Sequence, residues 1–189
     1  MTKFLSLVLA LAVLASPVLV VPGGARADQT SPVLDGLFED LKTTSSTAGA
    51  AAVEAVIWTI WLHRGTAEID RAMALGIAAM NEGAYRRSLS YFDRMVRAAP
   101  DFAEAWNKRA TVHYLMGDFD ASVADIRRTL ALEPRHFGAL LGMGHIYDAI
   151  GNRPAAVKVW EKALEIHPNM PGMKARIEDR RAKAKGRAL

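Results

Sequence analysis

From residue 69 to residue 170 the large apolar residues return three and four apart, in blocks that come in pairs. That spacing is the mark of amphipathic helices. The stretch Ala103–His136 shows one pair most plainly. It carries Trp106, Tyr114, Ala121 and Leu130, with Gly117 between its two blocks and Pro134 after the second. This predicts two short antiparallel helices, a glycine turn and a proline stop. Shifted by 34 residues in either direction, the pattern falls on Ile69–Phe102 and on Phe137–Met170. The turn glycines Gly83, Gly117 and Gly151 align, as do Pro100, Pro134 and Pro168. So do the small Ser88, Ser122 and Ala156, the large Phe92, Ile126 and Trp160, and the set Met95, Thr129 and Ala163. In the first helices the matching pairs are Leu75-Gly76, Arg109-Ala110 and Met143-Gly144. A lone helical hairpin cannot bury its apolar face, so consecutive copies must stack and share one core.

The flanks carry weaker versions of the same pattern. After a polar linker, Asp28–Pro32, residues Leu34, Leu37, Phe38 and Leu41 form one helical stripe. Thr43–Gly49 reads as a breaker, and Ala50–Arg64 as a second helix with Val53, Val56, Ile57, Trp58, Ile60 and Trp61. One further step of the period places Leu41, the turn Gly49, Trp58 and Trp61 in register with the repeats, but Glu54 and Thr66 stand where a small residue and proline belong. The pair Val33–Arg64 is therefore read as a degenerate cap, since terminal repeats are commonly atypical. The alternative is that Trp58 and Trp61 anchor a partner or a second copy. At the other end Met173–Lys185 predicts a last helix, with Met173 and Ile177 on its apolar side. Its opposite face is basic: Lys174, Arg176, Arg180, Arg181, Lys183 and Lys185. That face is read first as solvated, with weak attraction to an anionic envelope surface as the alternative.

The period of 34 and the order of markers resemble the tetratricopeptide repeat over Ile69–Met170. The resemblance implies an all-α chain, a right-handed α-solenoid of three helix pairs with an N-terminal degenerate pair and a C-terminal capping helix. The divisions are then 1–27, 28–68, three repeats (69–102, 103–136, 137–170) and 171–189. It also implies a concave groove lined by the first helix of each pair, where a peptide or protein segment binds. On this chain the groove residues would be Met73, Ile77, Met80, Asn107, Lys108, Thr111, Tyr114, His145 and Asp148. Some relatives clamp a chaperone's terminal carboxylate with Lys, Asn and Arg from this groove. Met73, Ile77, Lys108, Gly138 and Gly142 occupy those positions here, so the clamp is not expected. One residue departs from the family pattern: Arg109 stands where a buried Leu is usual. An unpaired buried guanidinium is costly, so Arg109 is expected to pair with Asp125, 16 residues on, or with Glu133 near the repeat junction.

Composition sets the remaining bounds. A chain of 189 residues, half of them apolar and none of them Cys, fits one domain without disulfides. Lys3, the apolar run Phe4–Ala15, the breakers Pro17, Pro22, Gly23 and Gly24, and Ala25-Arg26-Ala27 have the anatomy of an export signal. Cleavage after Ala27 would give a periplasmic or secreted protein; an uncleaved inner-membrane anchor is the alternative. Without Lys3 and Arg26 there are 22 basic and 20 acidic residues, net +2. Lys174–Arg187 holds seven basic and two acidic residues, net +5, which leaves 28–173 at −3. A positive charge confined to the tail does not suit nucleic acid as partner. No P-loop, H-E-x-x-H, G-x-S-x-G or Cys nucleophile is present. The five His (His63, His113, His136, His145, His167) lack the spacing of a metal site. The expectation is therefore a non-catalytic adaptor with no cofactor and no metal, supporting a cell-envelope complex. A self-associating module is the alternative.

Overall fold

The computed structural model describes residues 28–185; the expected export signal and its cleavage site after Ala27 lie outside them, as does Arg187. Every regular element among the described residues is an α-helix. These are α1 (Val33–Thr43), α2 (Thr47–Leu62), α3 (Ala67–Asn81), α4 (Tyr85–Ala98), α5 (Ala103–Leu115), α6 (Phe119–Leu132), α7 (Phe137–Ala149), α8 (Arg153–Ile166) and α9 (Met173–Lys185). The pairs α3–α4, α5–α6 and α7–α8 stack in order into a solenoid, and α9 packs on α8.

Each hairpin turns at a left-handed glycine, Gly83, Gly117 and Gly151, with φ of 73°, 80° and 80°. The next amide then donates back to a carbonyl five residues earlier: Ala84 to Ala79, Asp118 to His113, Asn152 to Tyr147. This is the glycine-dependent closure that ends a helix sharply. Asp118 and Asn152 go on to cap α6 and α8, accepting from the amides of Ala121 and Ala155. Helices α4, α6 and α8 each stop two residues before Pro100, Pro134 and Pro168.

The repeat markers meet inside each hairpin. A Cβ at Gly76 would lie 2.7 Å from the Phe92 ring, and one at Gly144 would overlap the Trp160 indole. In the middle copy Ala110 replaces glycine and the smaller Ile126 replaces the ring, so helix spacing is kept by trading volume across the contact. The hydroxyls of Ser88 and Ser122 donate to the carbonyls of Gly76 and Ala110, each at 2.7 Å. The third copy has Ala156 there, and the Trp160 indole N–H reaches the Leu141 carbonyl instead. At the end of the stack Met173 and Ile177 bury against Ala156, Val157 and Trp160. Helix α9 thus shields the last pair. Its basic face is largely engaged: Arg180 pairs with Asp148 and Asp179, Arg181 with Glu161, Lys183 with Asp179, and Arg176 lies over the Trp160 ring.

The N-terminal pair is present, but it does not take the place of a preceding repeat. Helix α2 begins at Thr47, inside the expected breaker, because Ser46 caps it by accepting from the Gly49 amide. The pair closes on itself through Leu34, Phe38, Leu41, Ala50, Ile57 and Trp61, and this cluster continues into Phe137, Ile166 and Met170 of the third repeat. Helix α2 lies across the starts of the repeats and runs backwards along the stack. The Thr44 carbonyl accepts from Asn169, Glu54 meets His167, Trp58 and Trp61 meet Phe137 and His136, and Arg64 reaches Asp101. The segment expected as a linker is anchored too, since Asp28 is buried in an ion pair with Arg64. Burial explains the departure. On this path α2 buries Ala50, Ile57 and Trp61 and leaves Ala51, Ala52, Ala55, Val56 and Thr59 exposed.

Candidate functional site

The inner face of the solenoid is built from α3, α5 and α7. Its clearest concavity is a cleft of about 290 Å³ between α5 and α7. Thr111, Tyr114 and Leu115 form one wall, Leu141, Gly142 and His145 the other, and Ile126 and Ser122 of α6 the floor. The helical period puts these residues on one side of each first helix. Tyr114 is held against Phe119, with ring centroids 5.6 Å apart, and His145 against Trp160 at 5.5 Å. Burial, with the nearby Arg176, pushes the His145 pKa down against the opposing pull of Asp148. The imidazole is therefore neutral at pH 7. None of the cleft residues carries a full charge.

The polar half of the expected groove is already in use. Glu104, Asn107 and Lys108 lie at the start of α5, beneath α2. The buried Glu104 carboxylate accepts from Asn107 at 3.0 Å and meets His136 Nε2 at 2.8 Å and Lys108 Nζ at 3.0 Å. His136 Nδ1 accepts from the Ala139 amide, so the proton sits on Nε2 and points at Glu104. Burial opposes the Glu104 charge, but Lys108 and His136 outweigh it and hold the carboxyl below its ordinary value. Trp61 stacks on the imidazole with centroids 4.1 Å apart, and Lys108 lies 5.1 Å from the Trp58 ring. Trp58 also reaches Gly138: a Cβ there would come within 2.5 Å of the indole.

Four of the expected groove residues, Asn107, Thr111, Tyr114 and His145, line the one cleft. The others are placed differently. Met73 is core, packed with Phe92, Met95 and Val112, because its position on α3 faces the neighbouring repeat. Ile77 and Met80 are half-buried against that same cluster. Asn107, although it borders the cleft, is itself buried with its amide on Glu104. Lys108 is neutralised by Glu104, and Asp148 by Arg180. Trp58 and Trp61 hold the chain's own arm to its repeats, Trp61 fully buried and Trp58 partly so. The role of Glu104 with His136 was not foreseen. Its signal is an acid at the second position of α5 and a histidine at the cap of α7, 32 residues apart, so that one repeat of rise sets them side by side.

A second polar cluster ties the first two repeats. Arg109 donates twice to Asp125 at 2.7 Å and once to Asp93 at 2.9 Å, and its guanidinium lies 4.9 Å from the Trp106 ring. Hydrogen bonding to Asp125 raises its pKa further, although burial opposes this. Glu133 is not part of this cluster. It accepts from the Arg135 side chain and amide, and Arg135 continues to Asp35 on α1. No cluster able to hold a metal ion occurs among the described residues.

Comparison with known proteins agrees with this architecture. The tetratricopeptide repeat model matches residues 73–122 and 108–171, more than half of the chain. The chain belongs to the tetratricopeptide repeat family. A TPR repeat-containing protein of Rhizobium etli is 38% identical over 135 residues, which is 71% of this chain and 66% of that one. The chain thus spans slightly less than two thirds of that relative. Among solved structures, the Sgt2 TPR domain from Aspergillus fumigatus superposes with a TM-score of 0.59 at 21% identity, covering 64% of this chain and 81% of that domain. The first TPR of Spaghetti (RPAP3), bound to the HSP90 peptide SRMEEVD, gives a TM-score of 0.57 at 20% identity, covering 60% and 93%. At these identities the structures share the fold. Tetratricopeptide repeats serve as protein-interaction modules, and the inner face of this one is divided by its own arm: a charged, covered half and an uncharged, open half.

Proposed function

We propose that this tetratricopeptide repeat protein is a non-catalytic adaptor that holds an uncharged, apolar protein segment in the cleft between α5 and α7. One observation carries the reading. The open part of the groove has no charged lining residue, while Lys108 beside it is bound to a buried carboxylate. The peptide in the RPAP3 complex, SRMEEVD, contains three acidic residues. A segment of that charge would lose hydration here and gain no cation. A large apolar side chain fits instead, flanked by Tyr114, Leu115 and Leu141, with the absent side chain of Gly142 as the space it enters.

We further place the adaptor outside the cytoplasm. The support is the basic start at Lys3, the apolar run after it and the Ala25-Arg26-Ala27 site. A partner in the cell envelope rests on that signal alone. Recovery of an N-terminus at Asp28 from the exported fraction tests it; an intact N-terminus on cytoplasmic protein overturns it.

The cleft is tested by filling it. A Cβ at Gly142 makes only an ordinary contact, 3.5 Å from Ile126 Cδ1, so Gly142→Leu occupies the cleft without disturbing the core. A photo-crosslinking residue placed at Leu115 should capture, in cells, segments with large apolar residues, and Gly142→Leu should abolish that capture. Capture that survives Gly142→Leu, or captured segments that are acidic, would overturn the assignment.

A further inference from the structure

The arm shows how the inner face takes a ring. Gly138 and Gly142 lie one turn apart on the same side of α7, and both line the cleft. The Trp58 indole of α2 already sits on the first: a Cβ at Gly138 would come within 2.5 Å of the edge of its six-membered ring. On its α5 side that indole meets Lys108, whose Nζ lies 5.1 Å from the ring centroid. Helices α5 and α7 are the first members of consecutive pairs and run in the same direction, so one turn further along both the seat repeats. There Thr111 and Tyr114 form the α5 wall in place of Lys108, and Gly142 again leaves the α7 wall bare. A Cβ at Gly142 would meet only Ile126 Cδ1, at 3.5 Å, so this second seat is open. Tyr114 and His145 border it, and neither the phenol hydroxyl nor the imidazole has a hydrogen-bond partner among the described residues.

We propose, resting on the reading of this cleft as the binding site, that it recognises a tryptophan or tyrosine side chain of a partner protein, seated on Gly142 as the arm's own Trp58 is seated on Gly138. The occupant follows from continuity with the arm's interface. An aromatic ring fits a slot between two helices where a glycine has removed one wall, and Trp58 against Gly138 is that contact made within the chain. A ring alone would suit phenylalanine. The polar groups favour an indole or a phenol, which buries an apolar body and brings one N–H or O–H to a partner. The neutral His145 ring offers its unprotonated nitrogen as acceptor, and Tyr114 offers a hydroxyl. A charged side chain would find no opposite charge in the lining. The chain does not supply the ring itself. Every Trp and Tyr among the described residues is buried or half-buried, and residues 1–27 and 186–189 contain neither type. The bound segment therefore belongs to another protein.

Capped, uncharged alanine peptides with a central Trp, Tyr, Phe or Leu, titrated into the full chain and followed by NMR, test the proposal. The Trp and Tyr peptides should bind about tenfold more tightly than the Leu peptide, with Phe between them. They should shift the amide signals of Gly142 and His145. Gly142→Leu, with unchanged circular dichroism, should abolish the binding. His145→Leu should lower the Trp peptide toward the affinity of the Phe peptide and leave Phe unchanged, a split that a general loss of structure would not produce. A Leu or Phe peptide bound as tightly as Trp would overturn the assignment and leave an apolar cleft standing. No peptide bound at millimolar concentration, or binding indifferent to Gly142→Leu, would overturn the cleft and its occupant together.

Discussion

Truncation of Trp61 to Ala probes whether the arm formed by α1 and α2 belongs to the later repeats. The indole is 1% exposed. It stacks on His136 at 4.1 Å and contacts Phe137 and Trp58 at centroid distances of 5.2 and 5.3 Å. A buried Trp removes roughly 150–250 Å² from water. At about 25 cal/mol per Å² that is ~4–6 kcal/mol, and Trp→Ala exchanges in cores cost about 3–5 kcal/mol. A loss of about 4 kcal/mol is therefore expected, which lowers Tm by roughly 8–16 °C for a chain of this size. The pattern of the loss matters more than its size. Hydrogen exchange should accelerate in α1 and α2 and at the starts of α5 and α7, because His136 and Glu104 lose their cover. Helices α3 and α4 should keep their protection. A cost under about 1 kcal/mol, or acceleration centred on α3 and α4, would refute the docking of the arm described above.

Other perturbations follow from the same geometry. Arg109→Leu should cost about 2–4 kcal/mol in urea denaturation, because Asp125 is left buried without its cation. Replacing Asp125 by Leu in the same chain should recover most of that loss. The Glu104 carboxyl is held below its ordinary value of 4.5, so it binds fewer protons in the folded chain than in the unfolded one. Its stabilisation is complete above that value and is lost as pH falls through the lowered folded pKa. Glu104→Gln should flatten this acid limb in a series of Tm measurements against pH. Gly142→Ala and Gly144→Ala should have opposite signs. The first gains about 0.5–1 kcal/mol of helix propensity while making only an ordinary contact with Ile126, and the second costs about 1–3 kcal/mol by pushing against Trp160.

The three hairpins are legible in the amino-acid sequence because everything that defines them is local. Gly117 and Pro134 act on their own turns, and Ala110 meets Ile126 across a single bend. The Arg109–Asp125 pair is legible for the same reason, since 16 residues across one turn bring opposite faces together. Asp93 lies 16 residues before Arg109, but across a repeat junction, where spacing within one hairpin says nothing. The arm is the larger omission. Counting by 34 places α1 and α2 one step before the first repeat, yet the period fixes position along the chain and not the surface chosen. That choice is a competition among buried areas. Helix α2 carries Val53, Val56, Ile57, Trp58, Ile60 and Trp61 over a face about half its circumference wide, too broad to point to one neighbour. The sequence trace of the outcome lies on the receiving side, in the bare Gly138 that admits Trp58 and in the large residues Phe102, His136 and Met170 at each repeat end.

The same omission changes the expected ligand. Asn107 and Lys108 are suited to a peptide backbone and a carboxylate when considered alone. In the folded chain they serve Glu104 of their own helix and lie under α2, so the groove's hydrogen bonds and its cation are already engaged. What stays open is the uncharged part around Tyr114, Leu115, Leu141 and Gly142. A segment bound there gains by burying apolar area, not by pairing charge, and such binding depends weakly on salt. Affinity for an apolar segment should therefore change little between low and high ionic strength. A steep decline with salt in fluorescence anisotropy would mean that Glu104 releases Lys108 to the ligand, and the division of the groove argued above would fail.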